Sequence, residues 1–282
     1  MGIRRKRPFA GAVVLTAFLF WLPFQAFPAV QDSKESAPVD RLNKTYFKKF
    51  GQDFGSVITS PGRWETSDFL KFTALAGTGV LLYGFDQEIY DWVQKQKTPS
   101  SINASPYISK FGQGGYLTAL AVAMYASGEI FDSPGLRKTA LLSLESFLTT
   151  TAVVLTFKAV AGRARPNTGE SAHSYHPFSF TSGYTSFPSG DAAGAFAVAT
   201  VIAEQTPEVF VDVLAYGLAG LVAVYRVHDR KHWPSDIFTG SALGFFVGKK
   251  ISRLNKNSSS GNSHVSFELT PHRQSITLSI YF

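Results

Sequence analysis

The sequence predicts an all-α fold, a helical bundle of about six apolar helices. Three observations predict it. From Phe69 to Arg253 the apolar residues fall in runs of helix length. Prolines punctuate those runs, at Pro99, Pro106, Pro134, Pro166, Pro188, Pro207 and Pro234. No alternating apolar–polar pattern and no internal repeat interrupts the region. Composition agrees: the 282 residues are 45% hydrophobic and 17% charged, enough for a large core and too apolar for a disordered chain. The absence of cysteine excludes disulfides, thiolate metal sites and cysteine nucleophiles. A net charge of +7 favours anionic partners such as phosphate esters and lipid headgroups. The basic residues form no contiguous face of the kind nucleic acid requires, so no nucleic-acid partner is expected.

Residues 1–30 read as a signal peptide or an N-terminal anchor. Arg4, Arg5, Lys6 and Arg7 form a basic head, an apolar run follows from Phe9 to Phe24, and Ala26 and Ala29 offer small residues near a cleavage point. Phe27 is a poor fit to cleavage after Ala29, so both readings stand, and in either case the following chain should leave the cytoplasm. Residues 31–68 are a polar lead-in with one short amphipathic helix. The main domain occupies 69–253, with apolar helices at about 69–85, 111–131, 138–161, 190–205, 209–227 and 235–252. A more polar segment from Asp86 to Lys97 forms a short surface helix. Residues 254–282 are a linker and tail, rich in Ser, Asn and Gly, and then alternating Ile276, Leu278, Ile280 and Phe282 in a strand pattern. One strand cannot close a membrane barrel, so it should pack on its own domain.

A membrane span needs about 20 largely apolar residues. Of the uncharged runs only Phe111–Gly128 approaches that length. If the basic head stays inside and 31–68 lies outside, three spans before Lys158 return it to the cytoplasm. Two arrangements therefore stand: an exported domain held at the membrane, and a polytopic protein.

Three clusters carry the chemistry. Lys158 and Arg165 are seven residues apart, two helical turns, which places both on one side of a helix that Pro166 ends. Alone, such a pair would simply complement a helix C-terminus. In Pro188-Ser189-Gly190-Asp191, Ser189 is placed as an N-cap and Gly190 lets an anion approach the free N–H groups of the helix start. Alone, Ser-Gly is usually just a cap. Arg226 ends a helix, His232 comes shortly before Pro234, and Asp236 is four residues beyond His232. Asp236 can reach back to fix the imidazole tautomer, leaving the other nitrogen as a nucleophile. Together the clusters supply three fixed cations, an anion nest and an oriented histidine, the parts needed to hold and attack a phosphoryl group. The loop 167–187 carries His173, Tyr175, His176, Phe178, Phe180 and Tyr184, and either lines a substrate entrance or is an ordinary surface loop.

The spacings Lys-x6-Arg-Pro, Pro-Ser-Gly-x and Arg-x5-His-x3-Asp resemble the type 2 phosphatidic acid phosphatase superfamily, which includes vanadium haloperoxidases and bacterial acid phosphatases. The resemblance covers about residues 69–252. It implies a phosphate pocket at helix ends, with Lys158, Arg165, Ser189, the Gly190 amide and Arg226 on the phosphate oxygens. It further implies a phosphohistidine at His232 oriented by Asp236, with no metal or other cofactor. With the export signal of residues 1–30, it points to the periplasmic side of a bacterial cell envelope, membrane-associated or integral, and to a phosphorylated lipid or small phosphoester as substrate. One position departs from the pattern: Asp191 stands where the family has the histidine that protonates the leaving oxygen. An aspartate must carry a proton to do the same, unless His228, His173 or His176 substitutes. Three functions follow: a cell-envelope phosphatase, a non-catalytic phosphate- or lipid-binding protein, and a vanadate-dependent haloperoxidase.

Overall fold

In a computed structural model, residues 40–179, 181–256, 265–269 and 276–280 are described. The basic head, the apolar run and the cleavage signals of residues 1–30 lie outside the described residues, as do Phe180 and Phe282. Nine helices follow among the described residues. They are α1 (Lys44–Ile58), α2 (Thr66–Gly84), α3 (Asp86–Lys95), α4 (Pro99–Ile108), α5 (Gly114–Ile130), α6 (Pro134–Ala161), α7 (Gly190–Gln205), α8 (Val209–His228) and α9 (Pro234–Leu254). The protein is a helical bundle, as the periodicity predicts.

Helix α4 was hidden by its prolines. Pro99 occupies the first helical position, where its missing N–H costs nothing. Thr98 and Ser101 cap each other reciprocally at 3.1 and 3.0 Å. Pro106 falls in the last turn, and the helix stops two residues later. Helix α6 stops where the apolar segment 138–161 predicts, and short of Pro166. It ends at Ala161, because Gly162 adopts a left-handed φ of 59° and turns the chain away. A side chain at Gly162 would strike the backbone of His176, so the turn and the loop packed against it both require glycine.

Helix α7 is central, with α6, α8 and α9 packed around it, and α5 lies on the outside of α6. The α7–α9 contact is a backbone approach. A Cβ on Gly248 would lie 2.7 Å from the Ala197 carbonyl oxygen, and one on Gly244 would overlap the Ala193 carbonyl. Gly244→Val should therefore push the two helices apart, lowering stability by about 1–3 kcal/mol and lowering activity with it. An unchanged thermal midpoint would show that the contact yields freely.

Helix α1 docks near the C-terminal end of α9. Its Tyr46 hydroxyl donates to the Leu141 carbonyl at 3.4 Å, its Lys49 ammonium donates to the Leu254 carbonyl at 3.3 Å, and Asn255 donates to Asp53 at 2.7 Å. Strands β1 (Val265–Leu269) and β2 (Ile276–Ile280) form an antiparallel pair, with Val265 opposite Ile280 and Leu269 opposite Ile276.

Much of the lateral surface is apolar. Leu70, Val80 and Leu81 on α2, Val122 and Ile130 on α5, and Phe210, Val213 and Val224 on α8 are exposed. Helices α6 and α8 are long and apolar enough to cross a membrane. They exceed the uncharged runs from which span length was counted because α6 continues through the buried Glu145 in its middle and α8 extends past Asp212 and Arg226 near its ends. The antiparallel order brings the C-terminal ends of α6 and α8 and the N-terminal ends of α7 and α9 to one end of the bundle.

Candidate active site

That shared end gathers every candidate residue. Because α6 stops at Ala161, Lys158 sits in its last turn while Arg165 lies beyond it in extended backbone, with φ −82° and ψ 153°. The two cations meet through the Gly162 turn and not through helical periodicity, which corrects the reading of one shared helix face. Both converge on the same carbonyl: the Lys158 ammonium donates to Thr185 O, and Arg165 reaches Thr185 O at 3.4 Å and Thr185 Oγ1 at 3.1 Å.

Pro188 is joined to Phe187 by a cis peptide, and Ser189 caps α7, its hydroxyl accepting from Ala192 N at 3.4 Å. A Cβ on Gly190 would lie 3.7 Å from Lys158 Cε, so the helix start faces the lysine. The Ser189 amide donates to the Asp236 carbonyl at 3.0 Å, tying the N-termini of α7 and α9 together. Arg226 and Arg165 are close enough to repel each other electrostatically, and Lys158 lies within reach of both. The Nε donors of Arg165 and Arg226 are buried and make no hydrogen bond among the described residues. Two buried guanidinium donors without acceptors suit an anion.

His232 is 2% exposed. Its Nδ1–H donates to the Ser186 carbonyl at 2.7 Å, an acceptor that fixes the tautomer. Asp236 Oδ2 is 3.8 Å from the same nitrogen. The ring is thus held by the carbonyl of Ser186 as well as faced by Asp236, a partner the expectation for Asp236 did not include. Nε2 has no protein partner among the described residues. Burial pushes the His232 imidazole down to about 3; the charges of Lys158 and Arg165 act in the same direction, and Asp236 opposes them. Asp236 stays below the usual carboxylate range although burial alone would raise it, because it accepts hydrogen bonds and faces the Arg163 guanidinium.

Asp191 Oδ2 lies 3.1 Å from Arg226 Nε, an ion pair out of line with the N–H. The histidines considered as substitutes are engaged elsewhere. His228 contacts Ser101 Oγ at 3.1 Å through Nε2 and Asp229 Oδ1 at 2.9 Å through Nδ1. His176 pairs with Glu170 at 2.9 Å, and His173 packs edge-on against Tyr83.

Four residues escaped the sequence reading. Arg163, inside the Lys158–Arg165 interval, is fully buried and bridges Asp236 Oδ1 at 2.7 Å and Asp86 Oδ2 at 2.6 Å. Asp86, expected on a surface helix, is fully buried. Ser186 donates its hydroxyl to Asp236 Oδ2 at 2.5 Å and its amide to the Arg163 carbonyl at 3.0 Å. Trp233 is buried and donates Nε1–H to the Ala164 carbonyl at 2.8 Å. The only sequence signal was an arginine two residues before Arg165 and a tryptophan next to His232.

Residues 139–259 match the PAP2 superfamily. A lipid A 1-phosphatase of Porphyromonas gingivalis is 34% identical over 92 residues, which are 31% of this chain and 17% of that protein. The chain thus spans about a sixth of the length of the curated relative it matches. Among solved structures, LpxE of Aquifex aeolicus superposes with a TM-score of 0.50 at 20% identity, covering 60% of this chain and 95% of that one. A transmembrane PAP2-type phosphatidylglycerolphosphate phosphatase from Bacillus subtilis gives 0.48 at 21% identity, over 66% and 98%.

Proposed function

We propose that this chain, a PAP2-superfamily protein by residues 139–259, is a membrane-associated phosphatase of the cell envelope that hydrolyses a lipid phosphate or diphosphate. One observation carries the reading: a neutral, buried imidazole with a free Nε2 stands beside three cations, two of which have unsatisfied buried donors. The named relative that acts on lipid A, and the exposed apolar faces of α2, α5 and α8, support a lipid substrate over a soluble one. In this reading α6 and α8 cross the bilayer.

Lys158, Arg165, Arg226 and the α7 N-terminus hold the phosphate oxygens and offset their charge in the transition state. His232 Nε2 attacks phosphorus, the N–P bond forms, and the bond to the leaving oxygen breaks. The leaving oxygen takes up a proton. Water then attacks the phosphohistidine, restoring the imidazole and releasing inorganic phosphate. Asp236, fixed by Arg163 and Ser186, offsets the positive charge that develops on the ring. The direct test is trapping, by a quench in alkaline denaturant, of a phosphorylated enzyme whose label is base-stable and acid-labile during turnover of a labelled lipid phosphate; its absence with an active enzyme rules out the covalent route.

Arg165→Ala and Arg226→Ala should each raise the vanadate inhibition constant by about tenfold or more, the loss of one charge-assisted contact. Inhibition at the parental concentration would place that cation outside the pocket. The His232 ring should show no titration between pH 5 and 8 by NMR. Its folded value, about 3, lies below the unfolded 6.5, so the stability linked to it is present above pH 6.5 and is lost as pH falls towards 3. A ring titrating near 6.5 would refute the buried neutral nucleophile.

A second reading has its own observation. The Asp191–Arg226 pair places a negative charge at the anion site, as in a protein that binds phosphate without turning it over. Turnover of any phosphate ester that His232→Ala abolishes decides between them.

A further inference from the structure

We propose that Asp86 is a positioning residue for the His232 nucleophile, acting through Arg163 and Ser235; the inference rests on the phosphatase reading. Asp86 opens α3 and stands well before residues 139–259, the part of the chain that matches the superfamily. It is fully buried, and both its oxygens are committed. Oδ1 accepts from the Ser235 amide at 2.7 Å; Oδ2 accepts from the Ser235 hydroxyl at 2.6 Å and from Arg163 Nη2 at 2.6 Å. Ser235 lies in the turn between His232 and Asp236, so these bonds pin the segment that carries the nucleophile.

Arg163 is the second link. Its five N–H donors are all used: Nε on the Ala172 carbonyl at 2.9 Å, Nη1 on Ser235 Oγ at 2.8 Å and Asp236 Oδ1 at 2.7 Å, and Nη2 on Asp86 Oδ2 and the Ala172 carbonyl at 2.7 Å. The rings of Tyr83, Tyr175 and Trp233 surround the guanidinium at 4.9, 5.9 and 5.8 Å. No donor remains for phosphate, so Arg163 is a holder of carboxylates and not a fourth substrate cation.

The charge count gives the arrangement its purpose. Two carboxylates share one guanidinium, leaving one negative charge over. That surplus sits behind Nδ1 of His232, where Asp236 is 3.8 Å away. It is available when the ring becomes positive in the phosphorylated intermediate. With Asp236 and Arg163 alone the charges cancel and the surplus is gone.

Asp86→Asn keeps the shape, removes the charge and cannot accept from Arg163 at its amide nitrogen. The expected result is a kcat about tenfold to a hundredfold lower, the usual scale for a residue one layer behind a reactive group. The vanadate inhibition constant should stay within about threefold of the parent, because Lys158, Arg165 and Arg226 are untouched. Single-turnover formation of the phosphorylated enzyme should slow by the same factor as kcat. A parental kcat, or a kcat and vanadate affinity that fall together, overturns the proposal. Should Asp86→Asn fail to fold, Ser235→Ala decides: it keeps all three charges and the amide bond, and should lower kcat several-fold at unchanged KM, whereas a parental kcat overturns the proposal. A parent chain without turnover would instead overturn the phosphatase reading, and this inference with it.

Discussion

His232→Ala should lower phosphate release by on the order of 10⁴-fold or more, the scale on which loss of a nucleophile is felt. The attacking Nε2 disappears, and no other imidazole among the described residues is placed to replace it: His228 is held by Ser101 and Asp229, His176 by Glu170, and His173 packs on Tyr83. The fold should survive with a modest loss. The Ser186 carbonyl loses its donor, which costs about 1–3 kcal/mol for a buried group left unpaired. Vanadate binding without covalent attachment should persist, because the three cations remain. The measurements are phosphate release, base-stable and acid-labile label on the protein, and the thermal midpoint. Activity within tenfold of the parent would remove His232 from the chemistry.

The bundle was legible because α5 to α9 are apolar runs bounded by Pro and Gly, and local physics sets such boundaries. Helix α4 was not, because Pro99 and Pro106 read as breakers until the Thr98–Ser101 capping exchange and the Pro106 position in the last turn are seen. The relation of Lys158 to Arg165 was misread for a related reason. Periodicity counts residues, whereas a left-handed Gly162 overrides the count with one turn. The structure brings the eight candidate residues to one end of the bundle, and their spacing along helix ends was visible from the chain. What supports them was not. Arg163 meets Asp86 across 77 residues of sequence and Ser186 meets Asp236 across 50. Contacts of that span leave no local pattern, and a first-turn aspartate such as Asp86 looks the same whether it faces water or a buried arginine.

Asp191→His should raise kcat on alkyl phosphomonoesters at neutral pH by about 10²–10⁴-fold, the value of a positioned general acid. A free imidazole has an ordinary value near 6.5, so a histidine here can donate near pH 7. The Asp191–Arg226 pair adds a second effect, since an anion at the pocket competes with substrate for that guanidinium. Asp191→Ala should therefore bind vanadate more tightly, by about tenfold, while turning over alkyl monoesters no faster than the parent. Binding and turnover would then move in opposite directions, which loss of a merely structural carboxylate would not produce. Diphosphate substrates should gain least from Asp191→His, because a phosphate leaving group departs without much help. A pH series on one alkyl monoester and one diphosphate measures all of this. If the alanine and histidine variants both match the parent on both substrates throughout, Asp191 neither moves a proton nor restrains Arg226. The proton for the leaving oxygen would then have to come from water.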